Sequence, residues 1–132
     1  MIREAIETDY TDLERMLRDR ELVTHEFGVR KFTTFVSTSV YGINGFFTVD
    51  LNKSFIVHFC VHKHLKKSAS QKTAWQMMAF LKKLLPNRFF VAVPVSFKKL
   101  NAIVTAYWPQ SKVISKRRSD FGLLNNIYLV EV

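Results

Sequence analysis

The sequence is poor in cysteine, glycine and proline. Its 132 residues include one cysteine, four glycines and three prolines. Collagen-like and low-complexity chains need far more glycine and proline, so both classes are excluded. Cys60 has no second cysteine in the chain with which to form a disulfide, and this absence agrees with a reducing compartment.

Long apolar runs are also missing. No stretch approaches the roughly 18 uninterrupted apolar residues of a membrane-spanning helix, and segment 1–20 is too charged for a secretory signal. Hydrophobic residues nevertheless make up 48% of the chain, including 12 phenylalanines. A chain of this length and composition can bury a core without disulfides or metal ions. We therefore expect one soluble, cytoplasmic domain over residues 1–132.

Carboxylates are scarce in the second part of the chain. Residues 1–50 hold six Lys and Arg against nine Asp and Glu, whereas residues 51–132 hold 14 against two. No Asp or Glu lies between Phe55 and Ser119. Such an excess attracts polyanions, so the expected partners are an acidic protein surface or, through phosphates alone, nucleic acid. The alternative is a solvated basic face that keeps a Phe-rich domain soluble.

Apolar spacing predicts the elements of the first third of the chain. A strand at 2–5 precedes a helix whose apolar stripe is formed by Leu13, Met16 and Leu17. The spacing of Phe32, Phe35 and Val36 predicts a second, shorter helix. Asn44-Gly45 favours positive φ, and it predicts the turn of a hairpin between strands at 39–43 and 46–51.

The rest of the chain alternates strands and helices. A turn at 52–54 leads into a strand over 55–62, and a long helix runs from Ser68 or Ser70 to Leu85. Then come a buried strand at 88–93, a helix over 96–108, and strands at 112–117 and 127–132 joined by a turn around 119–122. The order β-α-α-β-β-β-α-β-α-β-β predicts an α/β fold with a central mixed sheet flanked by helices on both faces.

This order resembles the GNAT family of N-acetyltransferases, which bind acetyl-coenzyme A. The opening IREAIETDYTDLERML is similar to the family's first strand and helix. In the family, the fourth strand leads into a loop of the pattern Gln/Arg-x-x-Gly-x-Gly/Ala, which binds pyrophosphate. Here Lys66 stands at the Gln/Arg, Ala69 at the first Gly and Gln71 at the second small residue. The resemblance places the cofactor contacts at Val61, Lys66, Lys67, Ser68, Ala69, Ser70 and Gln71.

The resemblance also marks where this sequence departs from the family. Because Ala69 and Gln71 replace residues that let the backbone approach phosphate, we expect weak binding of acetyl-coenzyme A or none. Ser96 stands where the family has Asn, and Ile103 where it has the Tyr that protonates the leaving thiolate. In an active enzyme Tyr107, one helical turn further on, would be that acid, and His58 or His62 would be the base.

A narrower resemblance is to small GNAT-like proteins of short-tailed bacteriophages, some of them virion-associated, which carry a Lys-rich, glycine-poor loop. It implies a GNAT-fold protein with a degenerate site that acts as a binding or structural component and meets a virion or host protein. An acyl-coenzyme A-dependent N-acetyltransferase is the alternative, and a nonspecific nucleic-acid-binding protein is the second alternative.

Four potential metal ligands alternate along one predicted strand and the residues after it. They are His58, Cys60, His62 and His64. Imidazole and thiolate are ligands of zinc and copper. Side chains at i and i+2 are roughly 7 Å apart on a flat strand, too far for three of them to share one ion. We therefore expect no metal site and interpret Cys60 as a core residue.

Overall fold

The computed structural model describes residues 1–19, 32–118 and 124–131. In this part of the chain the strands are β1 (Ile2–Glu4), β2 (Thr33–Ser39), β3 (Gly42–Asp50), β4 (Phe55–Val61), β5 (Arg88–Pro94), β6 (Lys112–Arg118) and β7 (Leu124–Glu131). A 3-10 turn at Glu7–Asp9 leads into α1 (Tyr10–Asp19), and the later helices are α2 (Lys67–Leu84) and α3 (Lys98–Tyr107). None of these described helices is long and apolar enough to cross a membrane.

The strands form one mixed sheet in the order β1-β2-β3-β4-β5-β7-β6. β4 and β5 are parallel, whereas the other neighbours are antiparallel. Two parallel strands need a crossover connection, and α2 supplies it. The predicted α/β fold with a central mixed sheet is therefore confirmed.

Helices cover both faces of this sheet. On the α1 face, the helix buries its predicted stripe against Val36, Phe46 and Cys60. On the α2/α3 face, Met77 and Leu81 of α2 and Val104 of α3 pack over Phe47, Val49, Phe89 and Val130. Full burial of one such side chain contributes roughly 1.5–3 kcal/mol. The core thus fixes α2 and α3 side by side on the same face.

The central elements agree with the apolar spacing of the sequence. The buried face of α2 includes the predicted Ala74, Met77, Met78 and Leu81, with Leu85 directly after the helix. β5 begins at the predicted Arg88 and runs to Pro94. Of the last two strands, β7 begins at Leu124, three residues earlier than predicted. The predicted turn around 119–122 lies outside the described residues.

The helix predicted from Phe32, Phe35 and Val36 is wrong, because these residues lead into and form β2. Phe35 stacks on Phe47, with 5.4 Å between ring centroids. Val36 is buried on the opposite face, among the core residues under α1, which we call the α1 cluster: Leu13, Met16, Leu17, Val36, Phe46 and Cys60. Adjacent side chains point to opposite faces only on a strand. β2 pairs with both β1 and β3. The pairing of β2 with two neighbouring strands therefore outweighs the helical spacing of Phe32, Phe35 and Val36.

The hairpin turn predicted at Asn44-Gly45 is also wrong. The turn between β2 and β3 lies at Val40 and Tyr41, and Gly45 pairs with Ser37 inside the sheet. A Cβ on Gly45 would lie 2.9 Å from the carbonyl oxygen of Cys60 and 3.1 Å from Cγ2 of Thr73. The glycine is needed for close approach of α2 and β4 to β3, not for a turn.

Candidate active site

β4 and β5 separate soon after they pair. Their parallel register contains Phe55 with Phe90 and Ile56 with Val91, and no pair follows along these two described strands. Residues 57–61 of β4 and 92–94 of β5 therefore face each other without strand pairing, and we call this gap the β4/β5 opening. α2 follows β4 and α3 follows β5 on the same face, so both helix N-termini lie at the mouth of the opening.

A bulge in β4 sets which side chains face each side of the opening. Thr48 pairs with His58 but Val49 pairs with Ile56, so Val57 is an extra residue. Beyond the bulge, Phe59 packs into the α2/α3 cluster, and Cys60 is buried in the α1 cluster. His58, two residues before Cys60, therefore faces the α1 side, as does Thr48 opposite it.

His58 is the most perturbed titratable group that the structure describes. Its Nε2 atom is buried and has no hydrogen-bond partner among the described residues. Burial lowers the pKa of His58 to about 4 because a charged imidazolium would lose its hydration there. The imidazole is therefore neutral near pH 7. A neutral imidazole carries one N–H donor and one nitrogen lone pair that can accept a proton or a hydrogen bond.

His62, the other predicted base, lies just beyond the end of β4. Its backbone N–H donates to the carbonyl of Asn44 at 2.7 Å. Its Nδ1 accepts from the backbone N–H of His64 at 3.2 Å, and the two rings lie 5.4 Å apart. The first contact extends the pairing with β3 by one residue, and the second holds the ring against the loop before α2, so His62 lies four residues beyond His58 at the end of the strand.

Tyr107, the predicted acid, lies at the C-terminal end of α3. Its ring meets the Trp75 indole of α2 edge to face, with centroids 4.6 Å apart, and the Trp108 ring at 5.0 Å. Tyr107 is thus on the α2/α3 face, and His58 is on the α1 face. No described hydrogen bond or ring contact joins them. Between them lies the stretch of the sheet in which β4 and β5 are not paired.

The predicted cofactor residues gather at the start of α2. Lys66 is the N-cap without a side-chain capping bond, and its carbonyl accepts from the N–H of Ser70 at 2.8 Å. Neither Ser68 nor Ser70 caps the helix, because both lie inside it. The backbone N–H groups of Lys67, Ser68 and Ala69 have no acceptor within a helix of this start. Together with the exposed lysines they form a positively polarised end.

Comparison with solved structures identifies the architecture. The ribosomal-protein-S18-alanine N-acetyltransferase from Escherichia coli matches with a TM-score of 0.78 and 12% identity, covering 100% of this chain and 93% of that one. A GNAT-family acetyltransferase from Bacillus cereus matches at 0.73 and 12%, covering 99% and 96%. A candidate acetyltransferase from Salmonella typhimurium, solved with its cofactor acetyl-CoA, matches at 0.65 and 12%, covering 99% and 92%.

The chain has the GNAT fold. No family model matches the sequence, and no curated protein matches it either. At identities this low the likeness establishes architecture alone, so activity has to be argued from the site.

The start of α2 has the N–H donors and cations that a phosphate-bearing ligand needs, but it lacks glycines. Ala69 and Gln71 are helical, and among the described non-glycine residues only Ser54 has positive φ. The missing glycines therefore cause no backbone strain. The side chains of Ala69 and Gln71 are exposed, and they keep a phosphate further from the helix than hydrogen would. On the opposite, α1 face of the sheet, the buried Nε2 of His58 has no partner among the described residues, so a group bound there can satisfy it.

Sequence reasoning missed a polar network that holds α3 at the rim of the opening. Asn101 donates through Nδ2 to the carbonyls of Pro94, at 3.0 Å, and Phe97, at 2.8 Å. Its Oδ1 accepts from Nδ2 of Asn126 at 3.1 Å and from the hydroxyl of Tyr128 at 2.7 Å. Burial raises the pKa of Tyr128. The sequence holds one sign of this network: Asn has a low helix propensity, yet Asn101 lies inside the predicted helix.

The two positions aligned with family side chains have ordinary structural roles. Ser96 is exposed in the turn after β5, and its carbonyl accepts from the N–H of Lys98 at 3.0 Å. Ile103 packs against the α2/α3 core. In this chain Asn101 of α3 stabilises the turn between β5 and α3 by hydrogen bonds to the carbonyls of Pro94 and Phe97.

The alternating histidines do not continue as one face of a strand. β4 ends at Val61, so only His58 and Cys60 lie within it. Cys60 is buried, as predicted. Over residues 1–19, 32–118 and 124–131, no group of three His, Cys, Asp or Glu side chains is placed to hold a metal ion.

Proposed function

We propose that the chain is an acyl-coenzyme A-dependent N-acyltransferase whose base is His58. The observation that carries the proposal is the position of a neutral imidazole, with its Nε2 atom buried, at the bulge of β4 beside the β4/β5 opening. Carboxylates are absent from β4, so His58 is the proton-accepting side chain that this strand offers there.

The two faces of the sheet have different roles in this proposal. The start of α2 offers free backbone N–H groups and lysines to the phosphates of acetyl-coenzyme A, from the α2/α3 side. Bound acetyl-coenzyme A supplies a thioester whose acyl carbon is attacked by an amine, so that a C–N bond forms and the C–S bond breaks. The acceptor amine reaches His58 from the α1 side. His58 accepts a hydrogen bond or a proton from the amine nitrogen through its ring lone pair.

The start of α2 predicts weak binding of the cofactor, and the pKa of His58 predicts which amines the transferase accepts. The Cβ of Ala69 and the side chain of Gln71 limit approach to phosphate, so charge from Lys66 and Lys67 provides much of the attraction. His58 has a pKa of about 4, well below the value near neutrality that suits a general base. It therefore serves amines that are already partly unprotonated better than strongly basic ones.

The proposal is tested by thiol release from acetyl-coenzyme A in the presence of a panel of amines with different pKa values. Wild-type protein should release thiol only with an acceptor amine present, and fastest with weakly basic amines. His58→Gln should lower that rate about 100-fold, whereas His64→Gln in the exposed loop should not change it. Equal rates for the wild type and a folded His58→Gln variant would remove His58 from the reaction.

We propose as the second candidate a binding or structural role, such as that of a phage virion-associated protein that meets a virion or host protein. The contact between Trp75 and Tyr107 favours it, since this pair joins α2 to α3 across the face from which a cofactor would enter. In that case the GNAT scaffold persists without turnover. A folded protein that neither binds acetyl-coenzyme A nor releases thiol with any amine would support this candidate over the transferase.

A further inference from the structure

β6 is the edge strand at the β7 side of the sheet. It pairs with β7 along one side, and no described strand pairs along its other side. Six of its seven residues are exposed, the exception being Ser115. An edge of this kind presents a row of backbone N–H and C=O groups to solvent, which another extended chain can pair with.

The side chains of β6 are both apolar and cationic. Val113 is 47% exposed and Ile114 is 50% exposed, and Ile114 is the extra residue of a bulge between Val113 and Ser115. The strand carries no carboxylate but has four cations: Lys112, Lys116, Arg117 and Arg118. Within the described part of the chain, Lys112, Lys116 and Arg117 make no ion pair.

The register with β7 distributes the cations over both faces of the sheet. Lys116 lies opposite Asn126 and Arg118 opposite Leu124, so these two share a face. Asn126 bonds to Asn101 of α3, which places that face on the α2/α3 side. Arg117, opposite Asn125, is on the other face. Lys116, Arg117 and Arg118 therefore point to alternating faces of the sheet, and all three are positively charged.

We propose that β6 binds an extended acidic peptide segment of another protein, which adds to the sheet as an eighth strand. The fitting segment has three successive carboxylates opposite Lys116, Arg117 and Arg118, and aliphatic residues opposite Val113 and Ile114. Main-chain hydrogen bonds along β6 provide affinity, and the charges fix the register. This surface is distinct from the β4/β5 opening, and the proposal does not depend on acyl transfer.

Two other occupants fit the edge less well. A second copy of this chain, pairing β6 with β6, would set a strand with four cations and no anion against itself, and like charges on paired strands are destabilising. Nucleic acid would use the cations but leave Val113 and Ile114 and the strand backbone unused. Lysine on an edge strand also discourages self-pairing, and an acidic strand turns the same charges into attraction.

The test uses a fluorescein-labelled, end-blocked peptide, Glu-Asp-Glu-Thr-Val-Val-Glu, whose binding to the full chain is followed by anisotropy. Two N-methylated versions carry methyl groups on odd or on even residues. Alternate N–H groups of a strand point to the same side, so only one version blocks pairing with β6. The variant K116E/R117E reverses charge on β6, and K82E/K83E, at the exposed C-terminal end of α2, is the matched control.

Strand addition predicts that one methylated peptide loses affinity at least about tenfold while the other binds as the parent does. K116E/R117E should weaken the parent peptide by about tenfold or more, and K82E/K83E by less than about twofold. Loss with neither or with both methylated peptides, equal weakening by the two variants, or tighter binding of a single-stranded oligonucleotide that displaces the peptide would each overturn the proposal. So would the absence of peptide binding to the folded wild type.

Discussion

The ring of Tyr107 packs edge to face against the indole of Trp75, with 4.6 Å between their centroids. This contact joins the end of α3 to the third turn of α2 over the face on which both helices lie. Trp75 is 43% exposed, whereas Tyr107 is partly buried and packs against the edge of the α2/α3 core. Replacing Tyr107 by Phe removes the hydroxyl and keeps the ring that makes these contacts.

Tyr107→Phe tests whether the Tyr107 hydroxyl takes part in the proposed acyl transfer. The aromatic contact with Trp75 remains, so the free energy of unfolding should change by less than about 0.5 kcal/mol. If the hydroxyl protonates the leaving thiolate, amine-dependent thiol release should fall by roughly 10² to 10⁴. Tyr41→Phe, at the exposed turn between β2 and β3, is the control. Unchanged thiol release by a folded Tyr107→Phe variant would remove this hydroxyl from the chemistry.

Acid should destabilise the protein through His58. Its pKa is about 4 in the folded state, lowered by burial from 6.5, so the unfolded chain binds this proton more readily. Stability from this group is therefore complete above about pH 6.5 and falls toward pH 4 by up to about 1.4 kcal/mol per pH unit. Urea denaturation at a series of pH values measures this slope.

The matched variants assign that slope to one histidine. His58→Gln should lose most of the pH dependence between 6.5 and 4, whatever its stability at neutral pH. His64→Gln, which changes an exposed loop residue, should keep the wild-type slope. The same slope in His58→Gln as in the wild type would show that His58 is solvated and titrates normally.

Gly45→Ala should destabilise the fold. The added Cβ would lie 2.9 Å from the carbonyl oxygen of Cys60, a backbone atom of the neighbouring strand, so β3 and β4 would have to shift. We expect a loss of about 1–3 kcal/mol in the free energy of unfolding, as for overpacking elsewhere. Met77→Leu, which alters a side chain over the same glycine, should cost less than about 1.5 kcal/mol. A neutral Gly45→Ala substitution would contradict the close packing of α2 on β3.

Much of the fold could be predicted from the sequence where an element carries its own signal. α2 has a long apolar stripe and β5 a short apolar run before Pro94, and both were predicted within a few residues. β2 is rich in Thr, Val and Phe, which favour strands, but the spacing of Phe32, Phe35 and Val36 also suits a helix. Its conformation is decided by pairing with β1, which is distant in the sequence, and with β3, which follows after a two-residue turn.

The candidate site could be predicted only in part. His58 and Lys66 follow from the resemblance and from the lack of carboxylates on β4. The separation of β4 from β5 and the bulge at Val57 depend on strand register, which the sequence of β4 alone does not reveal. The hydrogen bonds of Asn101 likewise reach Asn126 and Tyr128, which lie 25 and 27 positions later in the sequence.

Reversing Lys66, Lys67 and Lys72 to Glu tests whether the start of α2 is an anion site. All three are exposed, so the fold should persist while binding of acetyl-coenzyme A or DNA weakens by about tenfold or more. K53E/K82E/K83E makes the same change of charge at the other end of α2 and the turn before β4. For DNA, the log–log salt slope should be near −0.9 per phosphate contact. Equal affinities for both triple variants would assign the lysines to solubility.

Calorimetric titration of the wild-type chain with acetyl-coenzyme A at two salt concentrations tests the transferase proposal most directly. We predict one-to-one binding with a dissociation constant on the order of 100 µM, weakened by salt because exposed lysines and helix N–H groups provide the contacts. No heat of binding at millimolar ligand with a folded protein would contradict the proposed activity. A low-micromolar constant insensitive to salt would contradict the account of a glycine-poor, charge-dependent phosphate site at the start of α2.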